Sequence, residues 1–539
     1  ELAEYIHRRN NVLQIRRLMY VGAALLVLQS SMSEAAKILS IFPFQAKSHT
    51  IVNTALMEEL VSRGHEVTVL SLNPRKTPLP NYTDIVLKTS TNDFLPFKGN
   101  QTMFQSANIG LFEMMNMMLN VSLVVCDLQL QEEVVQKLIH STDIHFDAVI
   151  VEAFFNECYL GFVHKFKAPL IQICTYGGSN FMGDWVGNPT PYAIVPDPFL
   201  NLRDKMNFWE RTANAVFSTI WKLTRNYYYL PGQDAIMKKH FNHLADLPSL
   251  LELEHKTSLL LVNHHFSISY PRPLMPNFVQ VGGMHVKPPK PLPKDLRRYL
   301  DEAKDGVIYF SMGSNLKSSD MTESQRNAFL EAFSKLKQRV LWKWETDSMP
   351  GQPDNVKLEK WLPQPDILAH KNVLVFMTHG GLLSTQEAIN RGVPVLGIPI
   401  FGDQKLNMAW AESAGVGVTL QFDNISSESI SSALNEILGN PRYRENSQSL
   451  SRIYRDQPLA PLDQAAFWTE YVIRHKGAPH MRSAALDLAW YQYFLLDVIA
   501  FLVLAVGSVL LIVFLVLRAV FRKLCSGSKR DKMSHKKKD

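Results

Sequence analysis

The sequence predicts an α/β protein with two facing Rossmann-like halves, followed by one transmembrane helix near the C-terminus. Strand and helix patterns alternate along residues 37–175 and again along residues 306–399, and a proline-rich break separates the two series. Such alternation is typical of parallel sheets covered by helices. Farther on, residues 498–517 carry no charge, and twenty helical residues reach about 30 Å, the thickness of a bilayer's hydrocarbon layer.

Composition fits a large globular chain. The protein has 539 residues, of which 46% are hydrophobic and 20% charged, which is enough for two or three domains. The net charge is +6, but nine Lys or Arg against two Asp from Arg518 onward give +7, so the rest sums to −1. A nucleic-acid partner is therefore not expected. The four cysteines show no zinc spacing, and a single disulfide stays open.

The N-terminus resembles a secretory signal. Arg16 and Arg17 precede the apolar run 18–28, and Ser33 and Ala35 occupy small-residue cleavage positions. The alternative is a first core strand with a polar flank. The short, correctly flanked apolar run favours a signal peptide and N-terminal extension over residues 1–35.

The C-terminus predicts the membrane orientation. Aromatic residues stand before the span 498–517, and Arg518, Arg522 and Lys523 follow it, which places the tail 518–539 in the cytosol and the body in the lumen. The ending KKKD, with Lys536 and Lys537, resembles a dilysine signal for the endoplasmic reticulum. Sequons at Asn81, Asn100, Asn120 and Asn424 agree with a luminal glycoprotein body.

The first half, residues 36–281, opens with the strand pattern KILSIFPF. After a short loop, Ile51, Val52, Ala55, Leu56 and Leu60 form the apolar stripe of a helix that stops near Gly64. The strand EVTVLS at 66–71 completes a β-α-β unit. Later strands are predicted in FDAVIVEAF and PLIQICT.

A linker is predicted at residues 282–293, where prolines and lysines alternate. Strands and helices restart in the second half, residues 294–455. The segment 456–497 is predicted to be helical, to return to the first half and to approach the membrane. Ligands of parallel sheets bind beyond the carboxyl ends of the strands, so loops at those ends are candidate binding sites.

The turn THGGLLSTQEA follows the apolar strand VLVFM in the second half. Two glycines let the backbone approach a ligand closely, and the N–H groups at the start of the next helix attract anions. His379 and Ser384 add hydrogen-bond donors, so a diphosphate fits. The alternative is an ordinary tight turn.

Neighbouring loops carry side chains suited to the rest of a nucleotide sugar. Trp361 offers a stacking face and Gln364 an amide for a pyrimidine. Glu387 could accept hydrogen bonds from vicinal ribose hydroxyls, and Asp403 with Gln404 could hold a sugar.

Residues 376–404, FMTHGGLLSTQEAINRGVPVLGIPIFGDQ, resemble the signature of the UDP-glycosyltransferase family, and LLSTQEA resembles its invertebrate branch. The resemblance extends from about Lys37 to the span. It implies the GT-B arrangement, with the acceptor bound by the first half and the UDP-sugar by the second. Residues implied in donor binding are Ser311, Gly313, Ser314, Trp361, Gln364, His379, Gly381, Ser384, Glu387, Asp403 and Gln404. Leu383 departs from glucuronosyl relatives, which carry Asn there.

The resemblance also implies the chemistry. His49 would deprotonate the acceptor hydroxyl, and Glu152 stands where the family often has Asp to orient the base. A helix N-terminus favours a neutral imidazole, which suits this role. The expected reaction is inverting transfer of a hexose, glucose first, to a small lipophilic acceptor, forming a β-glycoside. No metal site or resident cofactor is expected, since the UDP-sugar is a co-substrate and no DxD occurs.

Three alternatives were weighed. A dinucleotide oxidoreductase is disfavoured because GVGV at 415–418 lacks the third glycine, and a serine hydrolase because GxSxG is absent. A non-catalytic membrane protein that retains a nucleotide-sugar pocket is the third, and the presence of both His49 and Glu152 disfavours it. The sequence leaves a homo-oligomer open.

Overall fold

The computed structural model describes residues 35–94, 104, 109–314 and 316–534. The predicted signal peptide, the sequon at Asn100 and the ending with Lys536 and Lys537 lie outside the described residues. The chain divides into two compact units, Glu1–Arg482 and Ser483–Asp539.

A parallel sheet of seven strands forms the first half of the larger unit. Its strands are β1 (Lys37–Phe42), β2 (Glu66–Ser71), β3 (Tyr82–Val86), β4 (Ala148–Glu152), β5 (Leu170–Cys174), β6 (Thr257–Val262) and β7 (Phe278–Gln280). The spatial order is β3-β2-β1-β4-β5-β6-β7. The order reverses between β1 and β4, so the loops that follow these two strands diverge and leave a crevice.

A second parallel sheet follows. Its strands are β8 (Val307–Ser311), β9 (Arg339–Lys343), β10 (Val356–Glu359), β11 (Val373–Thr378), β12 (Val395–Gly397) and β13 (Gly417–Thr419). The spatial order is β10-β9-β8-β11-β12-β13, and the reversal lies between β8 and β11. The prediction of two parallel α/β sheets is confirmed. The predicted boundaries of the halves and of the linker stay predictions.

Helices of the first half cover both faces of its sheet. They are α1 (Lys47–Ser62), α2 (Leu111–Gln131), α3 (Glu133–His140), α4 (Gly161–Phe166), α5 (Phe208–Thr224), α6 (Leu230–His240) and α7 (Leu250–Glu254). Helix α1 starts at Lys47, earlier than the predicted loop allows, so His49 lies within its first turn. Ile51 was wrongly placed in the apolar stripe: it is exposed, whereas Val52, Leu56 and Leu60 are buried.

Further helices follow along the chain, from the second half to the apolar helix near the C-terminus. They are α8 (Lys294–Asp301), α9 (Glu323–Ser334), α10 (Gln364–Leu368), α11 (Leu382–Arg391), α12 (Gln404–Ser413), α13 (Ser427–Gly439), α14 (Pro441–Arg455), α15 (Pro461–Arg474), α16 (Trp490–Tyr493) and α17 (Leu496–Ser534). Helix α15 packs on the first sheet: Ala465, Ala466 and Val472 share a buried cluster with Ile38 and Leu56.

Two helices in the described part of the chain are long and apolar enough to cross a membrane, Leu111–Gln131 and Leu496–Cys525. The first is α2, which buries Met115, Leu119 and Val125 in the body. The second contains the predicted span 498–517 and has mean hydropathy 3.2. The C-terminal apolar helix is therefore the candidate for membrane anchoring.

A disulfide joins Cys126 of α2 to Cys158, just before α4. The sequence left one pair open without choosing its partners. Cys174 is buried and free, and Cys525 is exposed and free.

Candidate functional site

His49 and Glu152 meet where the order of the first sheet reverses. His49 lies in the first turn of α1, after β1, and Glu152 is the last residue of β4. Their side chains contact each other through His49 Nδ1 and Glu152 Oε1. The Glu152 side chain is fully buried, and its second oxygen, Oε2, has no hydrogen-bond partner among the described residues. A buried carboxylate so placed fixes the ring orientation and leaves His49 Nε2 as the nitrogen available to a substrate.

Three further residues hold the imidazole. Thr175 Oγ1 lies 3.2 Å from His49 Nδ1, at the carboxyl end of β5. The rings of Phe44 and Phe154 pack against the imidazole, with centroids 5.1 and 4.8 Å away. Sequence reasoning missed Thr175, although it directly follows a predicted strand and the rule applied to His379 would have found it.

The strand end beside His49 is strained. Phe155 adopts a left-handed backbone with φ 54°, which an L-residue with a bulky side chain rarely does. Phe154 and Phe155 line a small apolar cavity together with Phe44 and Met118 of α2. The cavity measures about 20 Å³, so a bound acceptor has to displace side chains.

The turn between β11 and α11 is built around His379. Gly380 has φ 79°, and a Cβ on Gly313 or Gly381 would overlap the His379 ring. Burial, with a smaller effect from Lys343, lowers the pKa of His379 to about 4. The ring is therefore neutral near pH 7. Gly313 and Gly381 therefore leave room for the His379 ring, and the glycines of the turn also let a ligand approach the backbone. The sequence alone did not distinguish these two roles.

Helix α11 begins immediately after this turn. Its N-cap residue is Gly381, and the N–H groups of its first turn have no partners within the helix. Ser384 lies in that turn and is buried. The second sheet contributes the facing loop, in which Ser311 Oγ accepts a hydrogen bond from Gly313 N at 3.3 Å, while Ser314 is exposed. Together these elements form an edge with free N–H groups, which we call the anion-binding edge because such groups at a helix N-terminus can hold an anion.

Gln364, Ser384 and Glu387 are joined by hydrogen bonds. The Gln364 amide donates to Ser384 Oγ at 3.0 Å and to Glu387 Oε2 at 2.6 Å, and its oxygen accepts from the Tyr309 hydroxyl at 3.1 Å. Burial raises the pKa of Glu387 to about 7. Tyr309 was not predicted from the sequence, because it lies inside β8 and not in a loop.

Trp361 differs from these buried groups, since it is 65% exposed. The ammonium of Lys47, in the first turn of α1, lies 5.3 Å from the centre of its ring. The contact joins the two halves across the cleft. An exposed indole with a cation on one face leaves the other face open for stacking.

Asp403 and Gln404 follow β12, and both side chains form hydrogen bonds within the protein. Asp403 accepts a hydrogen bond from Asn407 Nδ2 at 3.2 Å, and the same amide donates to Gly380 O at 3.0 Å. Burial raises the pKa of Asp403, while Asn407 and the charge of His49 oppose the rise. Gln404 Oε1 accepts from the backbone N–H groups of Ile400 and Phe401. Because the Gln404 oxygen holds the loop in place, the side-chain NH2 group of Gln404 is the part that could bind a ligand.

Leu383, the departure from glucuronosyl relatives, packs against the apolar cluster of the first half. Its carbonyl accepts from His285 Nε2 at 3.3 Å. The leucine therefore contributes to contact between the halves, in a position where an asparagine would offer a donor.

The chain is similar to known proteins in both sequence and fold. The family model described as UDP-glucoronosyl and UDP-glucosyl transferase matches residues 36–531. The chain is 39% identical to UDP-glycosyltransferase UGT5 of Dactylopius coccus, covering 92% of this chain and 94% of that protein. It is 38% identical to UDP-glucosyltransferase 2 of the same organism, over 95% and 98% of the two chains. Identity to human UDP-glucuronosyltransferase 2B15 is 34%, over 90% and 93%.

Solved structures share the fold. The calicheamicin glycosyltransferase CalG4 aligns with a TM-score of 0.56 at 17% identity, over 82% of this chain and 99% of that chain. A Polygonum tinctorium UDP-glucosyltransferase gives the same TM-score and coverage at 16% identity. At these identities the likeness shows the GT-B fold alone.

Proposed function

The chain belongs to the UDP-glucoronosyl and UDP-glucosyl transferase family, and we propose that it transfers a hexose from a UDP-sugar to the hydroxyl of a small lipophilic acceptor. The enzyme class follows from the family. Glucose as the sugar, the acceptor class, inversion and the residue roles are the proposal, and UDP-glucosyltransferase 2 of Dactylopius coccus supports glucose by its name. The observation that carries the proposal is the contact of His49 Nδ1 with the buried carboxylate of Glu152 at the reversal point of the first sheet.

In the proposed reaction, His49 Nε2 takes the proton of the acceptor hydroxyl. The acceptor oxygen attacks the anomeric carbon, and the bond from that carbon to the diphosphate oxygen breaks. UDP leaves with the electron pair from the opposite face, so the configuration inverts. Glu152 stabilises the imidazolium through Nδ1, and Thr175 helps to hold the ring, as a base and its orienting acid do in hydrolases.

The negative charge that develops on the departing UDP would be stabilised by the anion-binding edge at the start of α11. The first-turn N–H groups of α11, the neutral His379 and Ser384 are fixed donors in a buried setting, where such donors stabilise developing charge most effectively. Trp361 would stack on the uracil, Gln364 would bind its edge, and Glu387 would accept from the ribose. Asp403 and the Gln404 amide would hold the sugar. The described residues contain no group of three potential metal ligands.

The apolar surroundings of His49 support a lipophilic acceptor. Phe44, Phe154 and Phe155 lie beside the base, and Met118 lines the adjoining cavity. An unbranched methionine adapts to ligands of different shape. A hydroxyl on a flat or compact apolar molecule, such as a phenol, would reach His49 while its body occupies this cavity.

We also propose a single-pass type I protein of the endoplasmic reticulum with a luminal body. The three described sequon residues, Asn81, Asn120 and Asn424, are exposed, and the disulfide suits an oxidising compartment. The apolar helix Leu496–Cys525 would cross the membrane.

The test uses the full chain expressed in microsomes. UDP release is measured with UDP-glucose, UDP-glucuronate and UDP-galactose against a phenol panel, and the anomeric configuration of the product is read by NMR coupling. We expect transfer from UDP-glucose to give a β-glycoside, undiminished when divalent cations are chelated. An α-glycoside would refute inversion, and UDP binding without transfer from any donor would refute the catalytic proposal.

A further inference from the structure

A large second cavity lies at the end of the first sheet opposite the cleft. It measures about 960 Å³, and Leu170 and Thr257, the first residues of β5 and β6, line it. Thr175, which contacts His49, follows the other end of β5. The parallel strands thus separate this cavity from the proposed catalytic centre, which does not use it.

The cavity is basic. Lys167, Lys256, Lys476 and Arg482 line it against a single carboxylate, Glu252. One oxygen of that carboxylate accepts from Ser249 N at the start of α7. Within the described residues, none of the three lysine ammonium groups contacts a carboxylate. Lysine ammonium groups without a carboxylate partner around a concave surface focus a positive potential into it, which favours an anionic ligand.

Two of these lysines are held in an unusual backbone conformation. Lys167 ends α4 with φ 50°, Lys476 follows α15 with φ 48°, and Ala478, two positions later, has φ 46°. Residues with a Cβ rarely adopt the left-handed region, and such positions cluster at functional sites. Here the strained residues belong to the segments that carry Lys167 and Lys476, two of the lysines that line the cavity.

A buried asparagine that lines the cavity has a polar atom without a partner. Asn277 is 2% exposed, and its Oδ1 has no hydrogen bond within the described part of the chain. A buried acceptor without a partner costs free energy, and a hydroxyl on a ligand would relieve that cost. The remaining wall is largely apolar, with Val163, Leu170 and Leu253.

We propose that this cavity binds an anionic glycerophospholipid whose headgroup carries a free hydroxyl, with the phosphate near the lysines and part of an acyl chain along the apolar wall. The ligand needs an anion, a hydrogen-bond donor and an apolar portion, and such a lipid has all three. Arg482 is the last residue of its compact unit, and the apolar helix begins only fourteen positions later, at Leu496. A chain anchored in a bilayer has lipid as its most abundant anionic amphiphile. The proposal is independent of the proposed transfer reaction.

The experiment measures binding of short-chain lipids to the full-length protein in non-ionic detergent by isothermal titration calorimetry. The probes are dioctanoyl phosphatidylglycerol, dioctanoyl phosphatidylcholine and glycerol phosphate. We expect saturable binding of phosphatidylglycerol only. Equal binding of phosphatidylcholine would refute recognition of the negative charge. Equally tight binding of glycerol phosphate would show a site for soluble phosphate compounds and would overturn the lipid assignment.

The decisive variant combines Lys167→Gln, Lys256→Gln and Lys476→Gln. Loss of three cations should weaken phosphatidylglycerol binding on the order of tenfold or more. The matched control combines Lys294→Gln, Lys304→Gln and Lys371→Gln, three exposed lysines elsewhere with the same change in net charge. Equal affinity of the two triple variants would overturn the proposal.

Asn277→Ala supplies the second, uncharged variant. It should weaken binding of phosphatidylglycerol severalfold and leave binding of dioctanoyl phosphatidic acid, which lacks the headgroup hydroxyl, unchanged. Equal weakening of both lipids would refute the role of Asn277 Oδ1. An unchanged melting temperature shows for each variant that the fold is intact.

Discussion

At the scale of single residues, the molecule places neutral or buried ionisable groups where a nucleotide sugar would react. His379 is kept uncharged by burial, and Glu387 is held near half-protonation at neutral pH. Glu152 is fully buried against the ring of His49. Desolvation strengthens every polar contact made there, which is why a few donors can meet a diphosphate.

His49→Ala tests the base. We expect transfer to fall by about 10² to 10⁴ while UDP binding is retained, because general-base catalysis contributes about that much. Initial rates and UDP titration of the same preparation separate the two effects. His145→Ala is the matched control, since His145 also contacts a carboxylate, Asp147 Oδ1 at 3.0 Å, but is exposed. Full activity of the His49 variant would remove this residue from the mechanism.

Glu387 gives a pH dependence. Its folded pKa of about 7 lies above the usual value, so the carboxylate that accepts from ribose hydroxyls forms only as pH rises through about 7. The ligand is UDP-glucose, whose diphosphate is esterified at both ends and keeps its charge over this range, and we expect its affinity to fall by up to about tenfold per pH unit below 7. Glu387→Gln should bind UDP-glucose more weakly at pH 8 and show a flat profile between pH 5.5 and 8. A wild-type affinity independent of pH in this range would contradict the assigned role.

At the scale of elements, the proposed function depends on the geometry of the loops that follow the strands. The turn before α11 joins a left-handed glycine, Gly380, to a helix N-terminus within a few residues, and the His379 ring packs between Gly381 and Gly313 of the facing loop. The chain closes this turn through Asn407, which links Asp403 to the carbonyl of Gly380. Donor sugar and diphosphate would therefore be recognised by one connected piece of backbone.

Gly381→Ala tests this turn. The backbone of Gly381, φ −61°, is open to alanine, but the new Cβ would overlap His379 and displace it from the edge. We expect UDP affinity to fall at least tenfold, with overpacking costing about 1–3 kcal/mol of stability. Gly439→Ala is the control, because nothing lies within 4 Å of the new Cβ. Wild-type UDP affinity of the Gly381 variant would show that the ring need not stay in place.

The disulfide is the other feature at this scale. Cys126 and Cys158 lie 32 positions apart, and closing a loop of that length restricts the unfolded chain. Replacing both by alanine should lower the free energy of unfolding by about 3–4 kcal/mol, measured by denaturant titration. Cys174→Ala removes a buried, unpaired sulfur and should cost clearly less. Equal losses in the two variants would show that the cross-link contributes nothing beyond packing.

At the scale of the whole molecule, two sheets present their reversal points to each other across one cleft. Lys47 of the first half contacts Trp361 of the second. Helix α15, which follows the second half in the chain, packs on α1 and β6 of the first. The proposed base, His49, and the proposed donor-binding residues therefore belong to different halves, so the proposed reaction needs both.

Membrane orientation is the prediction at this scale. In sealed microsomes, added protease should digest an epitope after Asp539 and leave the body intact, because the proposed orientation places the basic tail in the cytosol and the body in the lumen. Treatment with a glycosidase should lower the apparent mass, and combined Asn→Gln changes at Asn81, Asn120 and Asn424 should remove most of that difference. Digestion of the body without detergent would contradict the luminal assignment.

The sequence by itself determined the parts that depend on local order. Periodicity and turn residues predicted both parallel sheets, and a spaced motif predicted the loops at 361–364, 379–387 and 403–404. The uncharged run predicted the apolar helix. Each of these signals lies within 44 neighbouring residues or fewer, so no knowledge of distant contacts was required.

Only the tertiary structure decided what depends on residues far apart in the chain. The contact of His49 with Thr175, the disulfide partner of Cys126 and the contact of Lys47 with Trp361 each join positions that no local pattern relates. The family resemblance implied that Glu152 orients His49, and the structure supplies their contact. Burial is likewise a property of the packed whole, so the pKa shifts of His379 and Glu387 could not be predicted from the sequence. Strand order sets these distances, because it determines which loops share an edge.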